Sequence, residues 1–366
     1  MYNWQYKNWP QFNYSLESIR GVSVSFAEEL GYVNGLITAL NDDLKQETII
    51  EILIAEAIKT SEIEGEYMSR IDVMSSIKRN LGLKDDIKVR DKRVIGIAQL
   101  MTSVRQSYKD ELSITMILDW HKMLMGSFTR INAGQWRTGH EPMQVISGAY
   151  GKEIVHYEAP LSAKVPEEMA RFVEWFNSWD FSTLDKVSQS LIKSAITHLY
   201  FESIHPFEDG NGRIGRALAE YALSYTLQSP VLLSISTVIE KNKKQYYDAL
   251  KSAQSTLEIT TWIKYFAQII LEAQVNAKQL VEFTVKKVKF FDKFKAQLNE
   301  RELKVINRMF ESGVEGFEGG MTAKKYVAIT KTSKATATRD LQHLSEIGAL
   351  KLLGAGRSVR YELEVC

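Results

Sequence analysis

The stretch His205-Pro206-Phe207-Glu208-Asp209-Gly210-Asn211-Gly212-Arg213-Ile214-Gly215-Arg216 decides the fold, because its glycines admit two readings. Gly210-x-Gly212-x-x-Gly215 fits a dinucleotide-binding fingerprint, which needs a strand before it and an acidic residue about 20 positions further on. What lies upstream is Leu191-Ile192-x-x-Ala195-Ile196-x-x-Leu199-Tyr200, whose apolar pairs recur at helical spacing until Pro206 interrupts the run. The motif therefore joins helix to helix, and the dinucleotide fold is set aside.

The residue types in this loop suit a nucleotide's phosphates. Gly210-Asn211-Gly212 brings bare backbone N–H groups up to an anion, and a helix opening there adds the positive end of its dipole. Arg213 and Arg216, three apart, project from one face of its first turn. Asp209 is a candidate ligand for Mg²⁺, which favours one or two carboxylates plus phosphate oxygens. His205 is a candidate acceptor for a proton leaving a hydroxyl that attacks phosphorus.

From His205 to Arg216 the chain resembles the Fic family, matching its signature His-Pro-Phe-x-(Asp/Glu)-Gly-Asn-Gly-Arg-x-x-Arg at every fixed position. The resemblance implies a mainly helical bundle with a small β-hairpin flap that moves AMP from ATP onto a protein Tyr, Ser or Thr hydroxyl, releasing pyrophosphate. It makes His205 the general base and Asp209 the Mg²⁺ ligand. Asn211 and neighbouring amides, with Glu208, Gly210 and Gly212, would hold the α-phosphate region, Arg213 the outer phosphates and Arg216 the γ-phosphate. The deposit of AMP on another protein or on the chain itself, its removal by the same site, a UMP or phosphocholine donor, and a nucleotide-sensing regulator without transfer chemistry all remain open.

Upstream, Thr60-Ser61-Glu62-Ile63-Glu64-Gly65 fits the family's inhibitory pattern of Ser/Thr, three residues, then Glu-Gly/Asn. A carboxylate paired with Arg216 would occupy the fork meant for the γ-phosphate, and Glu64 takes that role. By residue type alone, Glu62, Glu64 and Glu66 fit a solvated acidic helix end equally well.

Between the two motifs, Gly134-Gln135-Trp136-Arg137-Thr138 precedes alternating apolar residues at 145–148 and 154–160 around a turn at 148–151, which read as a hairpin. The resemblance makes it a flap that clamps a target by strand addition. Downstream, Asn242, Tyr246 and Tyr247 correspond to the family's adenosine contacts: an aromatic ring to stack on the base and an amide to bond the nucleoside.

The chain has 366 residues, a formal net charge of +1 and 45% hydrophobic residues, enough for more than one core. One cysteine, Cys366, rules out an intrachain disulfide and suits a reducing cytoplasm. No signal-like segment or apolar run near about 18 residues is present, so we expect a cytoplasmic protein with no membrane partner. Six histidines show no metal-site spacing.

Three regions are expected: 1–110, helical and carrying the inhibitory pattern; 111–285, catalytic; and 286–366, a lysine-rich linker helix and a winged helix (α+β). In the last, 321–361 holds eight Lys or Arg against two acids, a basic balance that favours phosphate contact and DNA as a partner. Winged helices also dock proteins, and the family resemblance implies a homodimer.

Overall fold

The computed structural model describes residues 1–147, 154–179, 183–314 and 316–364. The chain is mainly helical. Its helices are α1 (Arg20–Ala39), α2 (Asp42–Ile63), α3 (Arg70–Asn80), α4 (Lys92–Gln106) and α5 (Ile114–Met125), followed by the strands β1 (Gln144–Ser147) and β2 (Ile154–Glu158). Then come α6 (Val165–Ser178), α7 (Lys186–Ile204), α8 (Asn211–Leu227), α9 (Ile235–Lys241), α10 (Lys243–Ala253) and α11 (Thr260–Phe294). The chain closes with α12 (Glu300–Phe310), α13 (Ala323–Thr330), α14 (Lys334–Glu346), β3 (Leu350–Leu353) and β4 (Arg360–Leu363).

Residues sort into two compact units, one of 1–32 with 49–277 and one of 33–48 with 278–366. The first is organised on α7, which packs along α8. Asp185 caps the start of α7, accepting from the Ser188 N–H at 2.8 Å, and satisfies a donor the helix leaves open. Every residue from Ser190 to Ile204 is buried, so this is a helix wrapped on all faces rather than an amphipathic one. Its apolar positions, among them Tyr200 and Phe201, join Phe172, Trp120 and Phe207 in one core. Its polar positions Lys193, His198 and Glu202 are equally buried, and such groups need partners.

The expected hairpin is present: β1 and β2 run antiparallel, with Gln144 opposite Glu158, Ser147 opposite Ile154, and an irregularity between Val145 and Ile146. Its turn, 148–151, lies outside the described residues. Tyr157 anchors it, donating its hydroxyl to the Ser203 carbonyl at 2.6 Å. Among the described residues no helix is long and apolar enough to cross a membrane.

The second unit has its own core of Phe290, Phe294, Val305, Ile306, Phe310, Tyr326, Leu341 and Leu344. Each of its short helices is capped from sequence: Asn299 and Glu302 form a reciprocal capping box on α12, Thr322 caps α13 and Ser333 caps α14. Lys331, at φ 58°, closes the tight turn between α13 and α14. β3 pairs antiparallel with β4, and Met321 bridges Tyr361 beside them. Cys366 lies outside the described residues.

Candidate active site

The loop between α7 and α8 assembles the site. α7 ends on His205, whose φ of 50° and ψ of 61° are left-handed, a conformation costly for most side chains but tolerated by histidine better than by branched residues. Gly210 at φ 83° then turns the chain into α8, where glycine carries no such penalty. Asn211 braces the turn: its Oδ1 accepts from the Phe207 N–H at 2.9 Å and its Nδ2 donates to the Phe207 carbonyl at 2.8 Å. Both amide atoms of Asn211 are thus committed to loop shape.

Asp209 is exposed, and its Oδ1 accepts from the Gly210 N–H at 2.5 Å. Its carbonyl is held by His121, whose Nδ1 accepts from the Gly134 N–H at 2.9 Å and whose Nε2 lies 3.1 Å from the carbonyl oxygen, so the proton sits on Nε2. Burial pushes the His121 imidazole down to about 4, which keeps it neutral, and the ring stacks on Phe207 at 3.7 Å. Glu208 accepts from the backbone and side chain of Asn132 at 3.3 and 3.2 Å.

The two arginines of α8 are buried, and carboxylates from one segment meet both of them. Arg216, 1% exposed, donates to Glu64 Oε1 at 2.8 Å, to Thr60 Oγ1 at 2.8 Å and to the Thr60 carbonyl at 3.0 Å. Burial works against its charge, but Glu64 and neighbouring groups outweigh that and the guanidinium titrates above its ordinary range. The close approach needs Gly212, since a Cβ there would lie 2.5 Å from Glu64 Oε1 and 3.0 Å from Arg216 Nη1. Arg213 donates to Glu66 Oε1 at 2.9 Å and lies 3.7 Å from Asp209 Oδ1. Glu66 fits the solvated acid of the sequence reading no better than Glu64 does; both close over α8. A carboxylate two residues beyond an inhibitory glutamate is the signal that would have found it.

A cavity of about 570 Å³ opens beside these groups, lined by Glu64, Gly212, Arg216, Glu202 and His205. Its lining also includes Val145, Ile146 and His156 of the hairpin, and Tyr246, Tyr247 and Lys251 of α10. Tyr246 is 1% exposed and its hydroxyl lies 2.7 Å from His198 Nε2, so its ring is packed into the wall, whereas Tyr247 is 45% exposed. Asn242, between α9 and α10, is exposed and is not part of this lining.

Two buried side chains complete the site without having been singled out from sequence. Arg137, 3% exposed, has no carboxylate partner among the described residues; it donates to the His205 carbonyl at 2.8 Å, the Ile204 carbonyl at 3.3 Å, the Pro160 carbonyl at 2.5 Å and Ser162 Oγ at 2.8 Å. Burial pushes it down to about 10, and its charge sits where the carbonyls at the end of α7 concentrate negative potential. The other is Glu202, one turn before His205, with Oε2 3.6 Å from His205 Nδ1.

As to a metal, no group of three or more His, Cys, Asp or Glu that could cage an ion occurs among the described residues. One exposed carboxylate, Asp209, faces the start of α8, and that donor set fits Mg²⁺ held mainly by substrate phosphates.

The Fic/DOC family matches residues 111–223, and a domain family of unknown function, DUF4172, matches residues 2–83. The protein adenylyltransferase fic-1 of Caenorhabditis elegans is 28% identical over 169 residues, 46% of this chain and 29% of that protein. The protein adenylyltransferase Fic of Drosophila erecta is 27% identical over 207 residues, 56% of this chain and 38% of that protein. The chain thus spans well under half the length of these curated relatives. A crystal structure of a Fic family protein from Desulfovibrio desulfuricans G20 superposes with a TM-score of 0.54 at 20% identity, covering 97% of this chain and 98% of that one, a likeness of fold.

Proposed function

We propose that the Fic domain at residues 111–223 transfers AMP from ATP to a protein hydroxyl, and that the conformation described here is its inhibited form. The observation that carries this reading is the meeting of Glu64 with Arg216 over Gly212, in the wall of the cavity that also holds His205. An arginine fork closed by a carboxylate is a fork suited to a phosphate, and the start of α8 adds backbone N–H groups and the positive end of a helix dipole.

On this reading ATP enters when the acidic segment withdraws. Arg213 and Arg216 exchange Glu66 and Glu64 for the β- and γ-phosphates, and the amides of Gly210 to Gly212 bind the α-phosphate. Asp209 is the residue that would hold Mg²⁺, which would neutralise phosphate charge when bound. The target's hydroxyl oxygen attacks the α-phosphorus, the bond from phosphorus to the bridging oxygen breaks, and pyrophosphate leaves. The hydroxyl proton passes to His205, which stands in the cavity wall with its side chain 14% exposed. Among the described residues β1 and β2 pair only with each other, so the hairpin's outer edge offers backbone partners to an extended target segment, and Val145 and Ile146 on β1 are exposed.

Incorporation of label from α-³²P-ATP into protein tests this. Label should rise in Glu64→Gly and vanish in His205→Ala while that variant still binds ATP. Unchanged labelling in His205→Ala would remove His205 as the base.

For the second unit we read 286–366 as a linker helix and winged helix able to contact DNA. What supports this is the outward face of α14, where Lys334, Ala335, Thr338, Arg339 and Gln342 are all exposed at helical spacing.

A further inference from the structure

Glu202 is the buried carboxylate that the transfer scheme leaves without a task. Its side chain is 7% exposed, and its Oε1 is buried with no hydrogen-bond partner among the described residues. A buried carboxylate oxygen left without a donor costs on the order of 1–3 kcal/mol, so what the group faces matters. Its Oε2 faces the ring of His205, 3.6 Å from Nδ1. The left-handed turn at His205 folds that ring back over the last turn of α7, on which Glu202 stands.

The packing of α8 reserves room for this carboxylate. A Cβ on Gly215 would collide with Glu202 Oε1 and lie 3.2 Å from His198 Nδ1, so α8 passes here with the carboxylate in its present place because position 215 has no side chain. Burial alone would favour the neutral acid, but His205, His198 and Arg216 outweigh it and hold the carboxyl below its usual range. Beyond its own helix, Glu202 accepts from Gln254 Nε2 with its backbone carbonyl, at 3.1 Å, which leaves the carboxylate to face His205.

We infer that Glu202 is a positioning residue for His205, fixing the imidazole with its proton on Nδ1 and its lone pair on Nε2. A neutral imidazole has one N–H and one acceptor, and a carboxylate beside Nδ1 selects the first of the two tautomers. Nε2 is then the atom that receives the hydroxyl proton, while the Nδ1 proton stays in place and the carboxylate stabilises the resulting imidazolium. The same carboxylate–histidine logic orients imidazoles in hydrolases and metal sites. The catalytic consequence rests on the proposed transferase reading; the tautomer does not.

Two measurements separate them. Long-range ¹H–¹⁵N correlation on the unliganded full chain, labelled at histidine and assigned with His205→Ala, reads the tautomer directly. Nδ1–H is expected in the unsubstituted chain and a shift toward Nε2–H in Glu202→Leu. Finding Nε2–H in the unsubstituted chain, or Nδ1–H unchanged in Glu202→Leu, overturns the inference. Transfer is then compared in a Glu64→Gly parent. Glu202→Gln, which keeps the shape, should lower kcat about 10- to 100-fold with little change in KM for ATP, as loss of an outer-shell partner does. Glu202→Asp should recover part of the rate. Equal kcat in parent and Glu202→Gln also overturns it. A parent that carries no label counts against the transferase reading and leaves the tautomer measurement to decide for Glu202.

Discussion

Removing Glu66 should make the chain bind ATP more tightly, separately from any effect of Glu64. Arg213 is 2% exposed and Glu66 Oε1 lies 2.9 Å from its Nη1, with the Glu66 side chain 19% exposed. Arg216 and Glu64 form the parallel pair at 2.8 Å, with Glu64 30% exposed. A hydrogen bond to a charged group is worth about 1.5–3 kcal/mol, and partial solvent access places each pair near the low end of that range. Since about 1.4 kcal/mol is tenfold in affinity, Glu66→Ala should tighten the Kd for an α,β-methylene analogue of ATP about tenfold. Glu64→Gly should do the same, and the double variant should gain about a hundredfold if the pairs act independently. The two acids share one short segment, so a coupling of 0.5 kcal/mol or somewhat more between them is expected. Isothermal titration calorimetry on the four proteins closes the cycle. A Kd within twofold of the parent for Glu66→Ala in both backgrounds would refute the reasoning, because Arg213 would then bind the nucleotide without having to release Glu66.

Other outcomes follow from single sites. Lys193 is 4% exposed, lies 4.1 Å from the Phe176 ring and 4.8 Å from that of Tyr225, and burial pushes it down to about 8. Its folded value lies below its unfolded one, so the unfolded chain binds more protons between about pH 8 and pH 10.5 and stability rises across that window. Lys193→Met should remove that rise and stabilise the chain by up to about 3 kcal/mol at pH 7, less what the ring contacts contribute; urea midpoints at pH 7 and 9.5 decide. Gly215→Ala should cost about 1–3 kcal/mol through overpacking against Glu202 and His198 and slow transfer with it. A melting temperature and labelling rate matching the parent would contradict the close approach. If α14 reads DNA, fluorescence anisotropy should show affinity falling with salt, with the log–log slope reduced by about 1 in Lys334→Ala or Arg339→Ala; no binding at low salt would rule the contact out.

The loop from His205 to Arg216 was legible because its chemistry is local: the glycines, the proline break and the arginine spacing are all set within twelve residues. The Glu64–Arg216 meeting was legible from a family pattern, since nothing in residue spacing relates positions 152 apart. Glu66 was not legible, because an acid after a helix end looks solvated until the end is known to be docked on α8. Glu202 was hidden by its setting in an ordinary helical run, where one turn of spacing from His205 means contact only after the left-handed cap turns the ring back. Tyr246 and Tyr247 share one motif, yet helix phase buries the first against His198 and exposes the second, a distinction that adjacency in sequence does not carry.

Arg137 ties two parts of the chain that the proposed reaction uses at different moments. Its guanidinium holds Pro160, just past the end of β2, and the carbonyls of Ile204 and His205 with the same planar group. Its donors point in fixed directions, so the guanidinium joins the strand's exit to the histidine's backbone beside the Tyr157–Ser203 link. A segment that pulls the hairpin outward either carries His205 along or strips a desolvated cation of its acceptors. The grip on the hairpin and the placement of the imidazole thus share one buried cation, and changing this arginine loosens both.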